Sequence, residues 1–197
     1  MRIVDAAENT GIDTFVLDDG WFGERNDDKR SLGDWYVNTE KLAGGLKTVI
    51  DYVHSKGMKF GLWFEPEMIS EDSKLYREHP DYAVRVPDYE PCYGRNQFML
   101  DLTRKDVRDY IVGSVNKALK ENEIEYVKWD YNRNITESYS LGLESAQQKE
   151  FAHRYALGLY DICERIVNAN PAIFFEGCAS GGARFDPAML YYFAQIW

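Results

Sequence analysis

The sequence predicts an α/β protein: part of a (β/α)8 TIM barrel, with parallel strands and covering helices. Three observations predict it. Short apolar runs alternate with amphipathic stretches along the whole chain. The apolar runs are nearly continuous, as in strands buried on both faces of a parallel sheet. And four of them carry polar residues at the C-terminal end: Asp18 and Asp19, Glu65 and Glu67, Lys128 and Asp130, Glu176 and Cys178. In a barrel those ends converge on one mouth, where barrel active sites lie. In an open sheet, polar groups collect mainly near one switch point. Four loaded ends favour the barrel.

The elements follow in order. Met1 lies inside what reads as a helix. "TFVLDDG" (14–20) is the first strand, ending in two acids and a glycine. In "GGLKTVIDYVHSKG" (44–57), Leu46, Val49, Ile50 and Val53 recur at helical spacing, and Gly57 marks the stop. "MKFGLWFEPEM" (58–68) is the second strand. Residues 69–100 form a long insertion. "TRKDVRDYIVGSVNKALKENE" (103–123) is a helix for which Thr103 offers a cap, with Val107, Tyr110, Ile111, Val115 and Leu119 on one face. "IEYVKWDYN" (124–132) is the third strand, 148–170 a helix, and "AIFFEGCASGG" (172–182) the fourth strand. "YYFAQIW" (191–197) reads as a fifth. The 197 residues fall short of the about 250 usual for a complete barrel and hold about half of its eight units. The expectation is one partial barrel domain over 1–197, truncated at both ends.

Composition narrows the function. A formal net charge of -10 disfavours a phosphate backbone or an anionic membrane as partner. No apolar run is long enough to span a bilayer, and "MRIVDAAENTG" lacks the apolar core of a signal peptide. The three cysteines, Cys92, Cys163 and Cys178, are odd in number and widely spaced, which points to free thiols in a reducing, cytoplasmic compartment. They lack zinc-site spacing, and His54, His79 and His153 are scattered. No cofactor or metal is called for.

The chemistry gathers at the strand ends. Asp130 lies two residues after Lys128 and projects to the same side. The cation would keep the acid ionised, and an ionised, positioned carboxylate can attack an anomeric carbon. The competing account is a structural ion pair. Asp18 and Asp19, at a strand-to-loop turn, suit the vicinal hydroxyls of a sugar, a hard cation, or simple capping of loop N–H groups. The neighbouring rings Trp21, Phe22, Trp63, Phe64 and Trp129 favour sugar over metal, although for any single tryptophan ordinary core is the better reading. "CASGGARFD" (178–186) offers a small Cys178 and a close backbone approach at Gly181 and Gly182, or merely a tight turn. Arg95 of "YGRNQ" reads, taken alone, as a solvated surface arginine.

Six stretches together resemble the α-galactosidases of glycoside hydrolase family 36: "FVLDDGWFGERNDD", "SLGDW", "GLWFEPEM", "YGRNQFMLDLTR", "VKWDYNR" and "FFEGCASGGARFDPAMLYYFAQIW". They run in family order over nearly the whole chain. The resemblance implies retaining hydrolysis of terminal α-1,6-linked galactose, as in melibiose and raffinose-type sugars. It implies Asp130 as the nucleophile that forms a galactosyl–enzyme intermediate. Asp18 and Asp19 would hold the 4- and 6-hydroxyls, and Trp63, Arg95, Lys128 and Asn132 would belong to the sugar site. Cys178 and Gly181 would lie near the 2-hydroxyl. Ala183 stands where the family commonly has a third glycine, with a small effect expected. The partners implied are α-galactoside oligosaccharides, with homo-oligomerisation in the full-length parent.

One departure matters more. The family's acid/base aspartate follows the "QIW" tryptophan, and this chain stops at Trp197. Retaining hydrolysis needs two carboxylates about 5–5.5 Å apart, so the 197 residues alone are expected to turn over poorly. Four rivals remain: a galactosyl transferase of the same family, an α-N-acetylgalactosaminidase (which Cys178 near the 2-position argues against), a non-catalytic sugar-binding module, and a metal-dependent hydrolase.

Overall fold

The computed structural model describes all 197 residues. The first half of the chain forms α1 (Arg2–Asn9), β1 (Thr14–Leu17), α2 (Gly45–Ser55), β2 (Lys59–Phe64), β3 (Met68–Ile69), α3 (Lys74–Glu78) and β4 (Phe98–Met99). The second half forms α4 (Lys105–Lys120), β5 (Tyr126–Trp129), α5 (Phe151–Ala169), β6 (Phe174–Gly177), α6 (Pro187–Tyr192) and β7 (Gln195–Ile196).

Five strands make one parallel sheet in the order β1-β2-β5-β6-β7, which is the order of the chain. Strictly sequential neighbours leave no switch point, so this is barrel order and not doubly wound order. β1 and β7, at the two ends, each have a neighbour on one side only. The register aligns Trp63, Lys128, Glu176 and Gln195 in one row. Leu17, the last residue of β1, pairs with Leu62, one step before that row. The loops carrying Asp18, Glu65, Asp130 and Cys178 therefore leave the sheet at one rim.

Helix burial follows the sequence periodicity. α2 buries Leu46, Ile50 and Val53. α4 buries Val107, Ile111, Val115 and Leu119, while Tyr110 stays half-buried and donates its hydroxyl to the Gly33 carbonyl at 2.7 Å. Each such aliphatic side chain contributes about 1.5–3 kcal/mol when fully buried, which fixes the helices to the sheet and the rim to the helices. In α5, Gly158 lies so close to the Leu102 backbone that a Cβ there would stand 2.0 Å from the Leu102 carbonyl oxygen.

Several boundaries differ from the sequence expectation. The helix at 103–123 begins at Lys105, and no side chain caps it. Thr103 donates to Asp101 Oδ1 at 2.6 Å instead, because that buried carboxylate organises the preceding turn. Tyr191 and Tyr192 end α6, opened by Pro187 with Asp186 as its cap, so the fifth strand shrinks to Gln195–Ile196. Ser145–Glu150 is a turn of 3-10 helix before α5. The 69–100 insertion packs on the sheet rim through the antiparallel β3/β4 pair. Asp34 of "SLGDW" joins that insertion to the 20–43 loop, since its carboxylate accepts the Lys74 and Leu75 N–H groups at 2.8 and 3.0 Å.

Candidate active site

One cleft at the rim is lined by Asp18, Asp19, Arg25, Asp28, Trp63, Glu65, Arg95, Gln97, Asp130 and Asn132. It gathers six of the residues singled out from the sequence, Asp18, Asp19, Trp63, Arg95, Asp130 and Asn132. Lys128 stands beside it and reaches Asp18. Cys178 touches it through Asp130. Gly181 forms the turn behind Cys178, with φ of 88° and open space where a Cβ would stand. What demands glycine there is the left-handed backbone and not a close neighbour.

Asp130 is the first residue after β5 and is 6% exposed. Trp63 Nε1 donates to its Oδ2 at 3.1 Å and Asn132 Nδ2 to the same oxygen at 2.6 Å; the Tyr131 N–H donates to Oδ1 at 3.0 Å. Burial pushes its pKa up, yet the hydrogen bonds from Asn132, the Cys178 thiol, Trp63 and the Tyr131 backbone outweigh that and hold it below the usual aspartate value. Burial in turn keeps the Cys178 thiol protonated, so it remains a donor.

This corrects the expectation that Lys128 ionises Asp130. Lys128 Nζ pairs with Asp18 Oδ2 at 3.0 Å. Burial opposes its charge, but the Asp18 carboxylate, with Asp130 beyond, raises its pKa on balance. The lysine reaches across the rim because β1 and β5 flank β2, a neighbourhood that spacing along one strand does not reveal.

Asp19 is held by Arg25, whose Nε and Nη2 donate at 2.9 and 2.8 Å in a two-pronged pair. Arg25 is 6% exposed. All five rings beside the acids, Trp21, Phe22, Trp63, Phe64 and Trp129, are buried in the core, and Trp63 alone also lines the cleft. Glu65 accepts from Gln97 Nε2 at 2.8 Å and from the Asn132 N–H at 2.7 Å. Burial pushes its carboxyl up to about 7, against the pull of those two donors and helped by Asp130. Arg25, Asp28, Glu65 and Gln97 line the cleft without having been assigned to it from the sequence. Glu65 was visible as a strand-end acid and Gln97 as the neighbour of Arg95 in "YGRNQ". Arg25 and Asp28 lie inside the family-like stretch "FVLDDGWFGERNDD", which by itself gave them no role.

Chemically the cleft offers five carboxyl groups, two guanidinium groups, two amides and one indole ring. That is a set of hydrogen-bond acceptors and donors for a polyhydroxylated ligand, with one carboxylate fixed by the Trp63, Tyr131 and Asn132 donors. No group of three or more His, Cys, Asp or Glu is arranged to hold a metal ion.

The sequence model of the Melibiase family matches residues 1–197. Alpha-galactosidase 1 of Pediococcus pentosaceus is 53% identical over 195 residues, and alpha-galactosidase AgaA of Geobacillus stearothermophilus 51% identical over 197. These alignments cover 99% and 100% of the chain and 27% of either relative, so the chain spans about a quarter of their length. Among solved structures, the alpha-galactosidase of Lactobacillus brevis superposes with a TM-score of 0.97 at 50% identity, over 100% of this chain and 26% of that one. An AgaA variant in complex with raffinose superposes with 0.97 at 51%, over 100% and 27%. A family match over residues 1–197, about half the residues identical and a superposing backbone leave one conclusion: the chain belongs to the melibiase family, in the branch of glycoside hydrolase family 36 alpha-galactosidases.

Proposed function

We propose that residues 1–197 are the nucleophile-bearing part of the (β/α)8 barrel of a longer, cytoplasmic, retaining α-galactosidase acting on terminal α-galactose of raffinose-type oligosaccharides. The observation that carries this reading is Asp130: a buried carboxylate at a strand end, held ionised by donors and facing an acceptor-rich cleft. A carboxylate so prepared can attack the anomeric carbon and form a galactosyl ester while the leaving oxygen is protonated from the other side. Water then releases galactose with inversion a second time. The donors on Asp130 keep its charge in place and its orientation fixed, so little reorganisation remains at the moment of attack.

Asp18 and Asp19 are the acceptors for two sugar hydroxyls, Arg25 and Lys128 fixing the pair from opposite sides. Trp63 offers its ring while its N–H is spent on Asp130. Arg95 and Asn132 complete the sugar contacts. The cocrystallised raffinose of the AgaA variant, and the stachyose bound to another, support an α-galactoside as ligand. The acid that protonates the leaving group lies outside residues 1–197 in this reading, so the chain alone turns over poorly.

The test is Asp130→Asn in the full-length protein. It keeps the shape and most contacts of the side chain but removes the nucleophile. Hydrolysis of p-nitrophenyl α-galactoside should fall by at least about 10⁴-fold, and a fluorinated α-galactoside that traps the ester should add its mass to the peptide containing Asp130. Undiminished hydrolysis, or label on another residue, would overturn the assignment.

A further inference from the structure

We propose that Arg133 is a positioning residue that sets where Arg95 stands in the cleft. Gly94 and Gln97 exchange backbone hydrogen bonds of 3.3 and 3.1 Å around Arg95 and Asn96. Both central residues have left-handed backbones, with φ of 52° and 57°. That is the geometry of a tight hairpin turn which ordinarily takes asparagine or glycine at these positions. A side chain such as Arg95 adopts it only at a steric cost, so the turn persists only where its surroundings hold it.

Arg133 supplies that hold. It is 7% exposed. Its Nη1 donates to the Gln97 carbonyl at 2.7 Å and to the Cys92 carbonyl at 2.8 Å, one on each side of the turn. Gly94 lies flat against the guanidinium, where a Cβ would stand 3.4 Å from Cζ. The other donors go to the Asn134 carbonyl at 3.2 Å and Thr136 Oγ1 at 2.7 Å, which fix the guanidinium to its own loop. The tip is tied across the cleft by Asn96 Nδ2, which donates to Asp28 Oδ2 at 3.0 Å. Arg133 follows Asp130 by three residues. One short segment therefore places the carboxylate directly and, through Arg133, the cation that shares its cleft.

The inference rests on the reading that Arg95 contacts the sugar, and a double-mutant cycle separates the two. KM and kcat on p-nitrophenyl α-galactoside and raffinose are measured in the full-length protein for Arg95→Ala, Arg133→Met and the double variant, with a thermal melt of each. Arg95→Ala should raise KM about tenfold, the scale of one charge-assisted hydrogen bond. Arg133→Met should raise KM by a similar factor and lower kcat less. The double variant should stay near tenfold and not reach the about hundredfold of independent sites. Multiplying effects, or a KM unmoved by Arg133→Met, overturns the positioning role. An unmoved KM in Arg95→Ala overturns the underlying role of Arg95, and the proposal with it. Where Arg133→Met yields no folded protein, Arg133→Lys, which keeps charge but loses the two-carbonyl grip, decides by the same comparison.

Discussion

Glu65 and Asp130 share Asn132 and differ in charge. Asp130 accepts from several donors and is ionised across the neutral range, whereas Glu65, more deeply buried with two donors and a carboxylate neighbour, is pushed up to about 7. A folded-state value above the ordinary 4.5 means that the native state binds this proton more tightly than the unfolded chain. Between roughly pH 4.5 and 7 stability must then fall as pH rises, by about 3 kcal/mol in total for this one group. Glu65→Gln keeps an oxygen for Gln97 and Asn132 and has no proton to lose. It should therefore be more stable than the parent at pH 8 by about that amount relative to their difference at pH 4, read by urea unfolding at the two values. A constant difference would mean that Glu65 titrates normally. The row of acids at the strand ends was legible in the sequence because a parallel strand must become polar where it leaves the core. Their partners were not. Lys128 answers Asp18 over 110 positions of chain, and Glu65 answers Gln97 over 32, distances that only the closed fold makes short.

Among the elements, α5 shows packing overruling propensity. Glycine inside a helix costs about 1 kcal/mol relative to alanine, yet Gly158 sits mid-helix against Leu102. A methyl group 2.0 Å from a backbone carbonyl oxygen cannot be accommodated by a rotamer change. Gly158→Ala should therefore destabilise the protein by about 1–3 kcal/mol despite the better propensity, measured as a drop in the urea midpoint at unchanged slope. A neutral or stabilising result would show that α5 slides away from the 101–103 turn at little cost. Helices α2, α4 and α5 and the four longer strands were legible because apolar spacing records which face is buried. Their ends were less so. Thr103 has the chemistry of a cap, but Asp101 and Ser140 compete for its hydroxyl and win. "YYFAQIW" has strand-like composition, but Asp186-Pro187 starts a helix that consumes its tyrosines.

For the molecule as a whole, one ion pair joins parts far apart in sequence. Glu67, fully buried after β2, takes both terminal nitrogens of Arg184 from the loop after β6, at 2.8 and 3.1 Å. The same carboxylate accepts from Trp129 Nε1 of β5 at 3.1 Å and from the Tyr155 hydroxyl of α5 at 3.3 Å. Arg184 also lies over the Tyr131 ring, 4.5 Å from its centre. Removing one member of such a pair strands the other. Arg184→Met should cost about 3–5 kcal/mol, and because the 178–186 turn loses its anchor, it should also loosen the thiol contact to Asp130. Unfolding by urea measures the first effect and thiol reactivity of Cys178 the second. A loss below about 1 kcal/mol would reduce the pair to a surface-type contact.

Ten surplus negative charges hold copies of this polypeptide apart at high concentration. Added salt masks those charges, so colloidal stability should be best in dilute buffer, the reverse of the usual remedy for a sticky preparation.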